Sequence, residues 1–310
     1  MQAASTVFLV RPVRFSFNVE TAASNHFQQA VSVGSEAEVQ AKVQAEFDQV
    51  VATLRFRGVR VTVFDDTPEP HTPDSIFPNN WLTLHPDGRV LLYPMCAPNR
   101  RLERRPDILA TLGQQFHISE VLDLSGPELA GQFLEGTGSM VFDHEHRVAY
   151  AAISPRTDPN LFRQVCTLLG YRPVLFHAFD ERGLAIYHTN VMMCVSAGVA
   201  VVCLESIPDA AERAAVVAAL SATGHHLVAI SLRQVAHFAG NMLSLRGAQE
   251  QPLLALSQRA FEALTPEQRA TLGHYCELLP LPIPTIETLG GGSIRCMLAE
   301  VYLPEKNEVR

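Results

Sequence analysis

EGTGSMVFDHEHRVAYAAI, residues 135–153, runs from an acid through a glycine-rich turn into two apolar segments separated by a polar tip. The segment predicts a hairpin in which SMVF pairs with RVAYAAI across DHEH, with Glu135 standing just before the first strand. A helical stretch from Pro159 to Leu169 follows. The same order of parts recurs on both sides. WLTLH and RVLLY flank PDG before a helical stretch from Arg101 to Leu112, and VMMCV and VAVVCL flank SAG before an alanine-rich helix from Asp209 to Thr223. MLSLRGAQEQPLLALS precedes a fourth helix, Gln258 to Leu272. Trp81, Met140, Val191 and Met242 open successive units at spacings of 59, 51 and 51 residues. That length suits one hairpin, one helix and one return strand.

Each unit carries a polar residue at the same place, just ahead of or at its first strand: Asn80, Glu135, His188 and Asn241. A fifth, Cys296 in GGGSIRCMLAE, belongs to a unit split between the chain ends. Its strand, Cys296 to Leu303, is expected to pair with Val7 to Val10, which a helix from Glu36 to Phe56 and a strand from Val59 to Phe64 would complete. Five such units close a ring with few free sheet edges. The fold expected is therefore an α/β five-bladed, pseudo-symmetric propeller closed by the N- and C-terminal segments, with 1–310 as a single domain. An acid, a histidine and a cysteine placed equivalently around a ring converge on its centre, and they are the parts of a thiol-nucleophile enzyme.

Composition narrows the function. The chain has 310 residues, 47% hydrophobic and 18% charged, enough to bury a large core, and its net charge of -8 argues against nucleic acid or an anionic membrane surface as partner. No apolar run is long enough to span a bilayer, and the opening MQAASTVFLVRP lacks a secretory pattern. Cysteines at 96, 166, 194, 203, 276 and 296 form no CxxC pair, which fits a reducing, cytoplasmic setting.

Cys166, Cys194 and Cys203 lie in apolar runs and read as inert core thiols. Cys296 differs: it follows three glycines, which let a backbone approach a ligand, and adjoins Arg295, a cation of the kind that activates thiols. Among twelve histidines, His188 alone shares the register of Glu135, which has no arginine or lysine close to it in sequence. His144 and His146 sit in the DHEH tip and read as a hairpin turn, because no second cluster completes a metal set there. GTGSM and LGGGSI match neither nucleotide-binding glycine motif. Neither a cofactor nor a metal is expected.

These motifs together resemble the guanidino-group modifying superfamily, the penteins, which includes arginine deiminases, dimethylarginine dimethylaminohydrolases and amidinotransferases. FLVRPVRFSFNVETAASNHFQ, PDSIFPNNW and GGGSIRCMLAEVYLP are most similar to the citrulline-utilisation hydrolases of the CtlX type. The resemblance implies Cys296 as nucleophile, His188 as general acid and base, and Glu135 as the acid orienting substrate or histidine. It further implies that Arg100 and Arg156 hold a substrate α-carboxylate and Asp74 its α-amino group; otherwise Arg100 reads as a solvated helix start within RRLERR. The expected partner is a small amino acid, and a homodimer is compatible with the reading.

The sequence departs from the family where the reacting group lies. Guanidino enzymes carry a Glu-Asp pair at the positions of Asn79 and Asn80, and the deiminases carry an aspartate at Asn190. Neutral amides leave a guanidinium charge uncompensated, whereas a ureido group offers one acceptor and several donors that asparagines match. Citrulline hydrolysis to ornithine, ammonia and carbon dioxide is thus expected, through a covalent intermediate on Cys296 with backbone N–H groups around Gly291 to Ser293, or an Asn amide, stabilising the oxyanion. The rivals are a guanidino hydrolase, an amidinotransferase and a non-catalytic binding protein. Residues 15–30 read either as a lid or as a plain ordered connection.

Overall fold

The computed structural model of the chain describes residues 2–30 and 34–306. Strand β1 (Thr6–Arg11) pairs in parallel with β2 (Arg60–Asp65), and the 21-residue helix Glu36–Phe56 crosses between them. That helix starts where Ser35 and Glu38 close a reciprocal capping box, and it buries Val39, Val43, Phe47, Val50, Val51 and Leu54 along one stripe. Each such side chain contributes roughly 1.5–3 kcal/mol by leaving water. The helix is thereby fixed against its blade.

The next four blades repeat one scheme, an antiparallel hairpin followed by a helix and a parallel return strand. They are β3 (Leu82–Leu84), β4 (Arg89–Leu92) and β5 (Glu120–Asp123); β6 (Val141–Asp143), β7 (Val148–Ile153) and β8 (Arg172–His177); β9 (Met193–Ser196), β10 (Val199–Val202) and β11 (His226–Ala229); and β12 (Leu243–Arg246), β13 (Pro252–Ser257) and β14 (Glu277–Leu281). Strand β15 (Ala299–Glu300) pairs antiparallel with β1 and completes the first blade. The fold is a five-bladed α/β propeller, closed as expected by both chain ends. Gln2 ties the N-terminal segment to the carbonyls of Phe142 and Val195 in two neighbouring blades.

Two expected helices are broken, both at prolines. Gln258 to Leu272 is Gln258–Ala263 followed by Pro266–Tyr275, and the stretch after Arg101 is Pro98–Arg101 followed by Pro106–Gln115. Thr265 and Arg105, the residues before the prolines, take extended ψ values of 159° and 111° because proline crowds the helical conformation of its predecessor. Cys296 also moves from its expected element. It lies in the helical turn Ile294–Met297, and the strand behind it is only two residues long.

Candidate active site

The polar residue of each blade sits in or beside a single helical turn that enters the innermost strand. Asn80 ends the turn Pro78–Asn80 before β3, Glu135 immediately precedes Gly136–Ser139 before β6, His188 immediately precedes Thr189–Val191 before β9, Asn241 lies two residues before β12 starts, and Cys296 lies within Ile294–Met297. Equivalent placement in a closed ring brings these side chains to one end of its axis. All five are buried, none more than 3% exposed.

His188 Nε2 meets Glu135 Oε2 at 2.7 Å, and the other Glu135 oxygen accepts from the backbone N–H of Cys96. Arg156 Nη1 approaches Glu135 Oε2 at 3.4 Å. The arginine partner that Glu135 lacks in sequence is therefore supplied by another turn. Burial alone would raise the Glu135 carboxyl, but Arg156, His188 and Arg100 together outweigh it and hold it well below the usual range. Burial pushes His188 down to about 4, against the opposing pull of Glu135. At neutral pH the imidazole is neutral and the carboxylate ionised, so Nε2–H donates to Glu135 and Nδ1 is the nitrogen left to exchange protons.

Cys296 Sγ faces two amides, Asn241 Nδ2 at 3.4 Å and Asn190 Nδ2 at 3.6 Å. Arg295 does not take the part its sequence position suggests. Its guanidinium turns to Glu300 Oε2 at 2.9 Å and to the Leu298 carbonyl. The Gly291 N–H is also occupied, since it donates to Glu287 O at the end of the preceding helix. Asn241 shares the repeat register but was not otherwise singled out by the sequence. Its Oδ1 accepts from the Arg295 N–H and its amide donates to the Asn190 carbonyl, fixing the turn that bears the thiol.

The charged side of the site is densely paired. Arg100, 2% exposed and no solvated helix start, grips Glu103 through Nε and Nη2 at 2.8 and 2.9 Å and donates to Asn80 Oδ1 and the Phe77 carbonyl. Four of its five N–H groups are thereby engaged. Asp74 accepts from Asn18 and Thr21 through Oδ2 and lies 3.8 Å from Arg100. Burial raises its carboxyl, with Arg100 and Asn18 offsetting part of the effect.

Residues 18–28 strap this face. Ser24 and the Thr21 carbonyl accept from Arg156, Asn25 donates to the carbonyls of Gly290 and Gly291, and Gln28 donates to Leu289. Phe27 packs edge-on against Tyr187 and at a tilt against Phe238. The strap residues Asn18, Thr21 and Ser24 lie in the segment FLVRPVRFSFNVETAASNHFQ that carries the family resemblance, but nothing in the sequence singles them out individually.

Four buried side-chain atoms of the expected site residues have no hydrogen-bond partner: Asp74 Oδ1, Asn80 Nδ2, Asn190 Oδ1 and Asn79 Oδ1, the last on an amide that donates to the Thr137 hydroxyl. The amide of Asn80 and the ring of His188 both crowd the spot where a Cβ on Gly138 would sit, the ring at 2.7 Å. These two groups are therefore neighbours, and only glycine fits beneath them. A thiol, an imidazole held by an ionised carboxylate and a set of unpaired acceptors and one donor can together carry out covalent hydrolysis on a small polar group. The remaining cysteines are unsuited to it, since burial pushes Cys166 and Cys194 to about 12 and Cys203 and Cys276 to about 11.

The sequence model of the family described as N,N dimethylarginine dimethylhydrolase, eukaryotic, matches residues 11–303. No curated protein matches the chain by sequence. Among solved structures it is similar to apo ArgZ, an arginine dihydrolase from the ornithine-ammonia cycle in cyanobacteria, with a TM-score of 0.73 at 16% identity over 96% of this chain and 41% of that one. The binary complex of an AgrE variant with L-arginine gives 0.74 at 16% identity over 98% of this chain and 41% of that one. A dimethylarginine dimethylaminohydrolase adduct with S-methyl-L-thiocitrulline gives 0.64 at 14% identity over 97% and 100%. The chain thus spans about two-fifths of ArgZ and AgrE, and at these identities the likeness is one of fold. Because the family match covers nearly all of the sequence, the chain belongs to the N,N dimethylarginine dimethylhydrolase family.

Proposed function

We propose that the chain hydrolyses the ureido group of citrulline or a close analogue, in the manner of the CtlX-type citrulline-utilisation hydrolases, yielding ornithine, ammonia and carbon dioxide. One observation carries this reading. Asn80 Oδ1 accepts from Arg100 at 2.8 Å, which fixes the orientation of the amide, so the unpaired atom beside His188 is the donor Nδ2. A guanidinium has only donors and would leave that N–H buried and unmatched, at a cost of about 1–3 kcal/mol. A ureido oxygen accepts from it. Asn79 Oδ1 and Asn190 Oδ1 then take ureido N–H groups, and Asp74 Oδ1 takes the α-ammonium.

Arg156 is the better placed of the two arginines for the α-carboxylate, because its partners Ser24 and Thr21 belong to the strap and are exchanged when residues 15–30 open as a lid. Arg100 contributes one N–H to the carboxylate and otherwise aims Asn80. In the reaction, Cys296 sulfur attacks the ureido carbon while His188 Nδ1 takes the thiol proton and passes it to the ornithine nitrogen as the C–N bond breaks. The S-carbamoyl cysteine is hydrolysed by water deprotonated at the same nitrogen. The carbamate released decomposes to ammonia and carbon dioxide.

A second reading, a dihydrolase that takes arginine through citrulline to ornithine, draws support from charge. Asp74, Glu103 and Glu135 face Arg100 and Arg156 in the buried site, and burial raises the Asp74 and Glu103 carboxyls, an effect that a cationic substrate would offset. Incubation with L-citrulline and with L-arginine, followed by amino-acid analysis, separates the two. Ornithine and ammonia from citrulline alone, absent with Cys296→Ser, together with a carbamoyl mass on the Cys296 peptide, support the first reading. Ornithine from both substrates supports the second, and citrulline accumulating from arginine overturns both.

A further inference from the structure

The DHEH tip of the second hairpin is a turn, as its sequence suggests, but the third group needed for a metal set arrives from the next blade. Asp143 closes β6 and His146 follows in the turn, while His225 precedes β11. Their ligand atoms lie together, His146 Nδ1 at 3.0 Å and His225 Nδ1 at 3.8 Å from Asp143 Oδ2. Donors about 2.0 Å from a tetrahedral zinc are roughly 3.3 Å apart, so these separations bracket the spacing an ion requires. The cluster lies at the far end of β6 from Glu135, and so on the opposite face of the ring from the catalytic residues.

We propose that Asp143, His146 and His225 bind a divalent transition metal of the zinc class and clamp two neighbouring blades together. Two imidazoles and one carboxylate suit zinc rather than calcium or magnesium, which prefer oxygen-only sets. The Asp143 carboxylate is 1% exposed and no lysine or arginine pairs with it among the described residues. A buried acid supported only by histidines gains most from a cation. The backbone N–H of His146 donates to Asp143 Oδ1, and metal binding exchanges the 2.8 Å contact of His225 Nδ1 with the Thr223 hydroxyl for a bond to the ion. Water completes the coordination on the side where His146 is 38% exposed.

The test is zinc chloride titrated calorimetrically into metal-stripped protein, using wild type, Cys296→Ser, His146→Ala and His225→Gln. One zinc per chain is expected in wild type and in Cys296→Ser, with binding weakened at least about tenfold in both histidine variants. The melting midpoint of Cys296→Ser should rise by roughly 5 °C at a hundred-fold excess over the dissociation constant, and His146→Ala should lose that rise. His146 lies in an exposed turn, so hydrolysis by its variant should be unchanged and reports that the fold is intact, even if His225→Gln fails to fold. Zinc binding that disappears with Cys296→Ser, or that survives His146→Ala undiminished, overturns the proposal.

Discussion

Around Asp74 and Arg100 fixed charges gather: the two lie 3.8 Å apart, Glu103 grips Arg100 through two hydrogen bonds, and Glu135 with Arg156 extends the charged group. Around Cys296 the polar side chains in contact are the neutral amides of Asn190 and Asn241, and a third amide, Asn80, lies beside the His188 ring. The two regions meet at Asn80, whose Oδ1 accepts from Arg100 and whose Nδ2 lies beside the His188 ring. Their difference indicates which end of a substrate each can hold: fixed charges match the ammonium and carboxylate of an amino acid, and amides match a head without net charge.

Removing the thiol breaks the reacting region outright. Cys296→Ser should lower kcat by on the order of 10⁴-fold or more, measured as ornithine release, while binding of the amino acid persists. Next in size, Glu135→Gln removes the ionised partner of His188 and Arg156 and should cost about 10²–10³-fold in kcat. A smaller loss in Glu135→Gln than in an Asp74→Asn control would mean that the acid only pairs Arg156.

Gly138→Ala tests whether the two regions meet at Asn80. Its methyl group would strike the Asn80 amide and the His188 ring, with activity falling about 10–100-fold and stability by about 1–3 kcal/mol in urea melts. Ser24→Ala is expected to have the smallest effect. It loosens only the strap over Arg156, so KM should change by a few-fold with kcat nearly constant.

Stability should also depend on pH through the site. The folded value of His188, about 4, lies below its ordinary value near 6.5, so the unfolded chain takes up the proton first as pH falls. The stabilisation is complete above about 6.5 and is lost on acidification towards 4, on the order of 3 kcal/mol in all. Glu135, whose folded value is also depressed, adds a loss of the same sign at lower pH. Urea melts of His188→Gln across this range should show a flatter slope than wild type.

Much of this was legible from the sequence because the repeat places one polar residue at one structural position. The helix Glu36–Phe56 and the helix Pro159–Leu169 were readable to the residue, since a capping box and a proline-led first turn mark where they start. The breaks at Pro106 and Pro266 are marked in the sequence by the prolines themselves. The partner of Glu135 is not readable in the sequence, because Arg156 reaches it from another turn, and Arg295 turns from its neighbour Cys296 to Glu300. Asn241 was visible as a member of the repeat, but its contact with Cys296 Sγ depends on a backbone path that spacing alone does not describe.

The most direct test of the division between charged and neutral regions is the ratio of kcat/KM for L-citrulline to that for L-arginine, measured side by side in wild type and in Asn80→Asp. A preference for citrulline of at least about 100-fold is expected, falling at least tenfold when a carboxylate replaces the amide donor. Equal or better turnover of arginine by the wild type, or a ratio that Asn80→Asp leaves unchanged, would contradict it.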